Sequence, residues 1–297
     1  MTGPVYARVL GPLEVEAGGE PVSIGGRAQR ALLTRLLLDA GRTVSSARLV
    51  EDLWGDDAPA SAAKMVQIYV SMLRKVLPEG LLVTRSPGYA VDLPPEAVDL
   101  VRFERLRDEG RAALRAGSPA RAADLLREAL ALWRGPALAE FDEPFAAIES
   151  RRLEEQHLAS IEDRIDADLA AGSDSSLIGE LEALVARNPL RERPRSQLMV
   201  ALYRAGRQVD ALAGYRAFRE TLAAELGIEP SPALRELENR ILKHDTTLDG
   251  SRTHAGARRH VSRPARAVRQ GTVRWSAPCP REHAVPGRRL WQPVPAA

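Results

Sequence analysis

The sequence predicts a mainly α-helical chain whose β structure is confined to a small sheet near the N-terminus. Three observations predict it. Short apolar runs broken by turn residues occur only before residue 97, helical periodicity runs from Val98 to about Asp245, and small-residue anchors recur at fixed offsets in that second region. Only 4% of the 297 residues are aromatic against 44% hydrophobic, so the core has to rest on Leu, Val and Ala, which disfavours a β-sandwich.

Val5 to Val15 is apolar but interrupted by Gly11-Pro12, and Pro21-Val22-Ser23-Ile24 before Gly25-Gly26 reads as a further strand. From Arg27 to Ala40, Ala31, Leu32, Leu36, Leu37 and Leu38 recur at helical spacing until Gly41. A second helix starts at Ser45 or Ser46 as N-cap, gathers Leu49, Val50, Leu53 and Trp54 on one side, and stops at Gly55. The third, capped by Ser61, carries a core stripe of Val66, Tyr69 or Val70, Leu73 and Leu77. Its other face holds Lys64, Gln67, Ile68, Ser71, Arg74 and Lys75, which is rich in hydrogen-bond donors. Leu81 to Arg85 and Tyr89 to Leu93 then flank Ser86-Pro87-Gly88 as a hairpin. Three helices followed by a hairpin describe a winged helix-turn-helix, in which the third helix enters the major groove and the hairpin reaches the adjacent backbone.

Beyond Val98 the anchors are Gly117, Ala122, Leu126; Gly172, Leu177, Leu181; and Gly206, Ala211, Tyr215. The last two sets lie 34 residues apart, the tetratricopeptide period, whereas the first two lie 55 apart, which places an interruption around Gly135 to Phe145. Each unit reads as a helix pair whose glycine turn lets the second helix pack closely on the first, with Tyr203, Tyr215 and Phe218 in the core. Ser231-Pro232 opens a last helix to about His244. The predicted organisation is therefore residues 1–97 as a winged helix, 98–249 as an all-α tetratricopeptide-like domain, and 250–297 as a disordered basic tail, because periodicity ends after Asp249.

Charge is unevenly placed. Residues 1–97 hold 10 basic and 11 acidic side chains, 98–249 hold 22 and 28, and 250–297 hold 10 and 1, so the segments carry about −1, −6 and +9. A nucleic-acid reading of the body thus rests on local placement of charge, although the tail is suited to sequence-independent DNA affinity. The single cysteine, Cys279, excludes an internal disulfide and a cysteine-based zinc cluster. No apolar run approaches a membrane span and no signal-peptide layout opens the chain, which predicts a cytoplasmic, nucleoid-associated protein without a membrane partner. His157, His244, His254, His260 and His283 show no metal-ligand spacing, and neither a Gly-x-Ser-x-Gly elbow nor a phosphate loop occurs. No catalytic residue, cofactor or metal is expected.

The order of motifs resembles the Streptomyces antibiotic regulatory protein family. Val9 to Leu13, Gln29 to Leu33, Leu49 to Gly55 and Tyr69 to Arg74 look like its DNA-binding domain. Asp99, Phe103, Leu106, Trp133-Arg134-Gly135, Pro189 to Glu192, Ala201 to Gln208 and Glu225 to Pro230 look like its bacterial transcriptional activation domain. The resemblance covers about residues 5–245 and implies an OmpR-type winged helix joined to a tetratricopeptide-like domain. It also implies an activator that binds direct repeats in double-stranded DNA, beside a second protomer, and recruits RNA polymerase holoenzyme to genes for a secondary metabolite. Met72 stands where many relatives carry Arg, and Ala90 where a polar or basic residue often follows the wing Gly-Tyr. The chain has no nucleotide-binding loop and resembles the family's small form.

The expected DNA contacts are Lys64, Gln67, Ile68, Ser71, Arg74 and Lys75 on the third helix and Thr84 and Arg85 in the wing, with Gln67 and Ser71 toward bases and Arg74, Lys75 and Arg85 toward phosphates. Asp56 and Asp57, between the second and third helices, read either as a solvated loop or as an acidic contact for the sigma factor of the polymerase. The winged helix carries its own sheet, helices and wing, so a chain ending at Leu93 is expected to bind DNA specifically without activating transcription. A different class of function, a tetratricopeptide adaptor whose winged helix binds protein, stays open from the residues alone.

Overall fold

The structure, a computed structural model, describes residues 3–249; the expected tail lies outside the described residues. Strands β1 (Val5–Arg8), β2 (Glu14–Ala17) and β3 (Glu20–Pro21) form one antiparallel sheet in that order. Ala7, Val15 and Ala17 point into the core, while on the outer face Arg8 pairs with Glu14 and Glu16 at 3.1 Å each. The strand expected over Pro21 to Ile24 is only two residues, Glu20 and Pro21. Val22 still donates to the Val15 carbonyl at 2.8 Å, but the chain then leaves the sheet and turns the Ile24 side chain into the core.

Helix α1 (Arg27–Leu38) buries Ala31, Leu32, Leu33, Leu36 and Leu37, so more than one side of it is covered. The two-residue strand β4 (Val44–Ser45) leads into α2 (Ser46–Trp54), where the Ser45 hydroxyl accepts from the Arg48 amide at 3.1 Å and caps the helix. Helix α3 (Ala62–Val76) follows, and Ser61 stands at its N-cap position without the expected side-chain cap bond. The wing is β5 (Leu82–Arg85) and β6 (Gly88–Val91), and β4 completes its sheet in the order β4-β6-β5. Gly88 lets β6 meet β4, because a Cβ there would lie 1.9 Å from the Val44 carbonyl oxygen. Gly88→Ala is therefore expected to force the wing from β4 and to destabilise the protein by about 1–3 kcal/mol, the usual cost of overpacking, read by urea denaturation.

Seven α-helices follow, α4 (Asp99–Arg115), α5 (Pro119–Leu130), α6 (Pro144–Ala170), α7 (Asp174–Arg187), α8 (Glu192–Arg204), α9 (Gln208–Leu226) and α10 (Pro232–Leu242), and a short 3-10 turn over Thr246–Asp249 ends the described residues. Within the pairs α4/α5, α6/α7 and α8/α9, each predicted anchor on the second helix is buried: Ala122, Leu126, Leu177, Leu181, Ala211 and Tyr215. The glycines that join the pairs act differently from the expectation. Gly117, Gly172 and Gly206 have φ of 73°, 89° and 78°, and nothing lies within 4 Å of a Cβ built on any of them. Their role is to close each first helix in the left-handed conformation: Gly117 donates to the Leu114 carbonyl and Ser118 to that of Ala113, a pattern repeated after α6 and α8. Close helix approach is instead provided by Gly110, where a Cβ would lie 2.7 Å from Leu126 Cγ. Ser231 caps α10 by accepting from the Leu234 amide at 3.3 Å.

Two large cores result. One gathers Leu10, Leu32, Leu36, Leu49, Val66 and Leu73 of the winged helix together with Leu100, Phe103, Leu106, Leu138, Phe141, Phe145 and Leu153. The other runs from Ile165 to Leu248 and includes Tyr215 and Phe218. Between them, α6 carries a charged centre in which Glu162, Asp163, Arg164 and Asp168 are buried. Asp163 takes Arg111 of α4 and Arg193 of α8 at 2.5 Å each, Arg191 engages Glu162, Asp168 pairs with Arg164 at 2.9 Å and with Arg127 of α5, and Arg164 engages Glu180 of α7, so all four charges are paired.

Candidate nucleic-acid interface

Helix α3 is oriented by its apolar side. Ala62, Val66, Val70 and Leu73 are buried against the rest of the winged helix, and Tyr69 stacks on Trp54 of α2 with ring centroids 6.4 Å apart. At 3.6 residues per turn this burial turns Lys64, Gln67, Ile68, Ser71 and Lys75 to solvent, and all five are exposed. Met72 shares that outer face, and its sulfur accepts from the side-chain Nε2 of Gln29 of α1 at 3.1 Å. Two ammonium groups, an amide and a hydroxyl thus surround a short apolar ridge, and no acidic side chain occurs on α3. Such a face can offer charge to phosphates, donors and acceptors to base edges, and apolar contact to thymine methyl groups.

Arg74, expected among the phosphate contacts, is exposed but hydrogen-bonded to the wing. Its Nε donates to the Leu82 carbonyl at 2.9 Å and its Nη2 to Thr84 Oγ1 at 2.8 Å, so it bolts α3 to the first strand of the wing. Thr84 is thereby tied to Arg74, and Arg85 pairs with Asp92 across the hairpin at 3.2 Å. Both Arg85 and Asp92 are exposed, so this pair is worth little in water and opens readily to a competing phosphate. Asp56 and Asp57 lie in a single exposed turn, Gly55–Asp57, and neither carboxylate has an ion-pair partner among the described residues.

The N-terminal sheet and α1 of the winged helix are also held from outside it. Asp99, at the start of α4, accepts from the amides of Val9 at 2.8 Å and Leu10 at 3.0 Å. Burial pushes its carboxyl above the ordinary range, against the pull of those two amides and of Arg134. Residues 131–143, the connection that interrupts the repeat register, lie against the N-terminal sheet and α1. Arg134 donates from its backbone to the Leu10 carbonyl and from its side chain to that of Pro12, both at 2.9 Å, and pairs with Glu14 at 2.8 Å. Glu140 accepts from the Leu13 amide at 2.7 Å and grips Arg30 of α1. Trp133 packs edge-on to Phe103 and stacks on His157 at 4.2 Å, and burial lowers the affinity of that imidazole for a proton. The sequence motifs include Asp99 and Arg134 but carry no sign of their partners, and Glu140 lies outside every motif.

Among the described residues no group of His, Cys, Asp and Glu side chains is arranged to hold a metal ion, and no helix is long and apolar enough to cross a membrane.

Residues 98–242 match the Bacterial transcriptional activator domain family, and residues 19–91 match the family Transcriptional regulatory protein, C terminal. Regulatory protein AfsR of Streptomyces coelicolor is 46% identical over 248 residues, which are 83% of this chain and 25% of that protein, so the chain spans a quarter of AfsR. Transcriptional regulator RedD of the same organism is 40% identical over 255 residues, 83% of this chain and 73% of RedD. Regulatory protein DnrI of Streptomyces peucetius is 37% identical over 253 residues, 81% of this chain and 93% of DnrI. Among solved structures, Mycobacterium tuberculosis EmbR in complex with a low affinity phosphopeptide matches with a TM-score of 0.78 at 35% identity, over 82% of this chain and 68% of that one.

Proposed function

Because the chain belongs to the Streptomyces antibiotic regulatory protein family of transcriptional activators, we propose that it binds direct repeats at promoters and recruits RNA polymerase to genes of a secondary-metabolite pathway. The observation that carries this reading is the outer face of α3, where Lys64, Gln67, Ile68, Ser71 and Lys75 are exposed on a helix held from behind by Val66, Val70 and Leu73. In this reading Gln67 and Ser71 meet base edges, Lys64, Lys75 and Arg85 meet phosphates, and Arg74 with Thr84 holds the wing beside the groove. The helical region, with a net charge of about −6, is repelled by phosphates and is better suited to a protein partner. Asp56 and Asp57, exposed on the turn before α3, are offered to a basic surface of the sigma factor.

A gel shift and footprint on the promoters beside the protein's own gene test the reading. Tandem protection spaced by about one helical turn is expected, as for protomers that meet one face of the duplex side by side. A palindromic footprint sinks the direct-repeat arrangement, and failure to retard any of these promoters sinks the assigned targets.

The engagement of Arg74 changes what its removal should do. Arg74→Ala is expected to weaken binding to all duplexes while leaving the salt dependence of binding unchanged, because it frees the wing without deleting a phosphate contact. Arg85→Ala, by contrast, should flatten the salt dependence by about 0.9 per phosphate lost. A salt slope reduced equally by both substitutions would return Arg74 to the phosphate-contacting set.

A further inference from the structure

Ile68 and Met72 are each 42% exposed on the outer face of α3, one turn apart, in the middle of the polar groups described above. Four residues of helix advance about 6 Å along the axis, and base pairs stack at about 3.4 Å, so the two side chains span nearly two base-pair steps. Neither can pair with a phosphate or a base-edge donor in any strength. The side chain of Met72 is also positioned from a second element, since its sulfur accepts from Gln29 Nε2 at 3.1 Å. The one strongly apolar group that the major groove displays is the thymine C5-methyl. Lys64 and Lys75, at either end of the same exposed face, give the ridge a surround complementary to a polyanion rather than to an apolar protein surface.

We propose that Ile68 and Met72 read thymine C5-methyl groups, so that the operator carries thymines beneath the middle of α3. The proposal rests on the DNA-binding reading above and adds the base that its apolar residues select.

The test uses the full chain and an operator obtained by selection from random duplexes. Each thymine of that operator is replaced in turn by deoxyuridine, which removes the methyl group and keeps the Watson–Crick pairing. At one or two positions per repeat the replacement should weaken binding by about fourfold, the factor that corresponds to losing burial of one methyl-sized group. Ile68→Ala and Met72→Ala should each weaken binding to the thymine operator and lose sensitivity to deoxyuridine at one of those positions. Both side chains lie on the surface, and circular dichroism checks that the variants keep their fold. A flat deoxyuridine scan on a tightly bound operator, or variants that keep the full deoxyuridine effect, overturns the methyl readout and leaves DNA binding standing. If no duplex is enriched at all, the DNA-binding reading fails and the methyl readout fails with it.

Discussion

A chain ending after Ala97 is expected to lose the cooperative unfolding transition that a chain ending at Asp249 keeps. The core of the winged helix does not close within residues 1–97: Leu100, Phe103, Leu106, Leu138, Phe141, Phe145 and Leu153 belong to the same buried cluster as Leu10, Leu32 and Val66. Truncating a single buried side chain of this size costs about 2–5 kcal/mol, and a domain has only about 5–15 kcal/mol in total. Deleting all of them exceeds the reserve, and the cut also removes the Asp99 carboxylate and Glu140 from the amides they satisfy. Asp99→Ala is the milder version, leaving the Val9 and Leu10 amides without their acceptor at about 1–3 kcal/mol each. Differential scanning calorimetry of the two truncations reads the difference directly. A sharp transition for residues 1–97 near the midpoint of the longer chain contradicts the shared-core argument. DNA binding and activation should accordingly be separated by surface substitutions, and the cut at Leu93 that the sequence suggests is a poor tool for it.

The combined substitution Lys64→Glu and Lys75→Glu should abolish specific binding while leaving the thermal midpoint within a few degrees of the parent. Both ammonium groups are exposed and make no ion pair among the described residues, so the fold does not depend on them. With Lys64 and Lys75 on phosphates, as proposed, each reversal removes one counterion-releasing contact and places a carboxylate against phosphate. The salt slope should fall by about 0.9 for each contact, and affinity by at least two orders of magnitude at about 0.1 M salt. Fluorescence anisotropy across a salt series measures slope and affinity together. An unaltered slope would show that α3 presents another face to its partner and would favour the protein-binding adaptor.

Much of the fold was legible because its signals are local. A cap acts within one turn, so Ser45 and Ser231 mark helix starts from their own neighbourhood. A left-handed helix end favours glycine at one backbone position, so Gly117, Gly172 and Gly206 announce the pair turns from their own neighbourhood. The buried anchors of α5, α7 and α9 and the exposed face of α3 likewise follow from the 3.6-residue period, which is a property of one helix. The expected base-facing residues, Gln67 and Ser71, were therefore placed on the exposed face by sequence alone.

Only the tertiary structure decided which charged groups are free. The partners of Arg74 within the protein, the Leu82 carbonyl and the Thr84 hydroxyl, come only from the wing folding back beside α3. Glu140 looks like any surface carboxylate until residues 131–143 bring it to Arg30 and Leu13, more than a hundred positions earlier in the chain. Asp99 carries no sign that it will satisfy Val9 and Leu10. Helix periodicity specifies the side of an element on which a charge sits, whereas its partner depends on how two elements meet. That meeting is set by the packing of Phe103, Phe141 and Phe145 into a core they share with the winged helix, a property of the whole arrangement that no window along the chain contains.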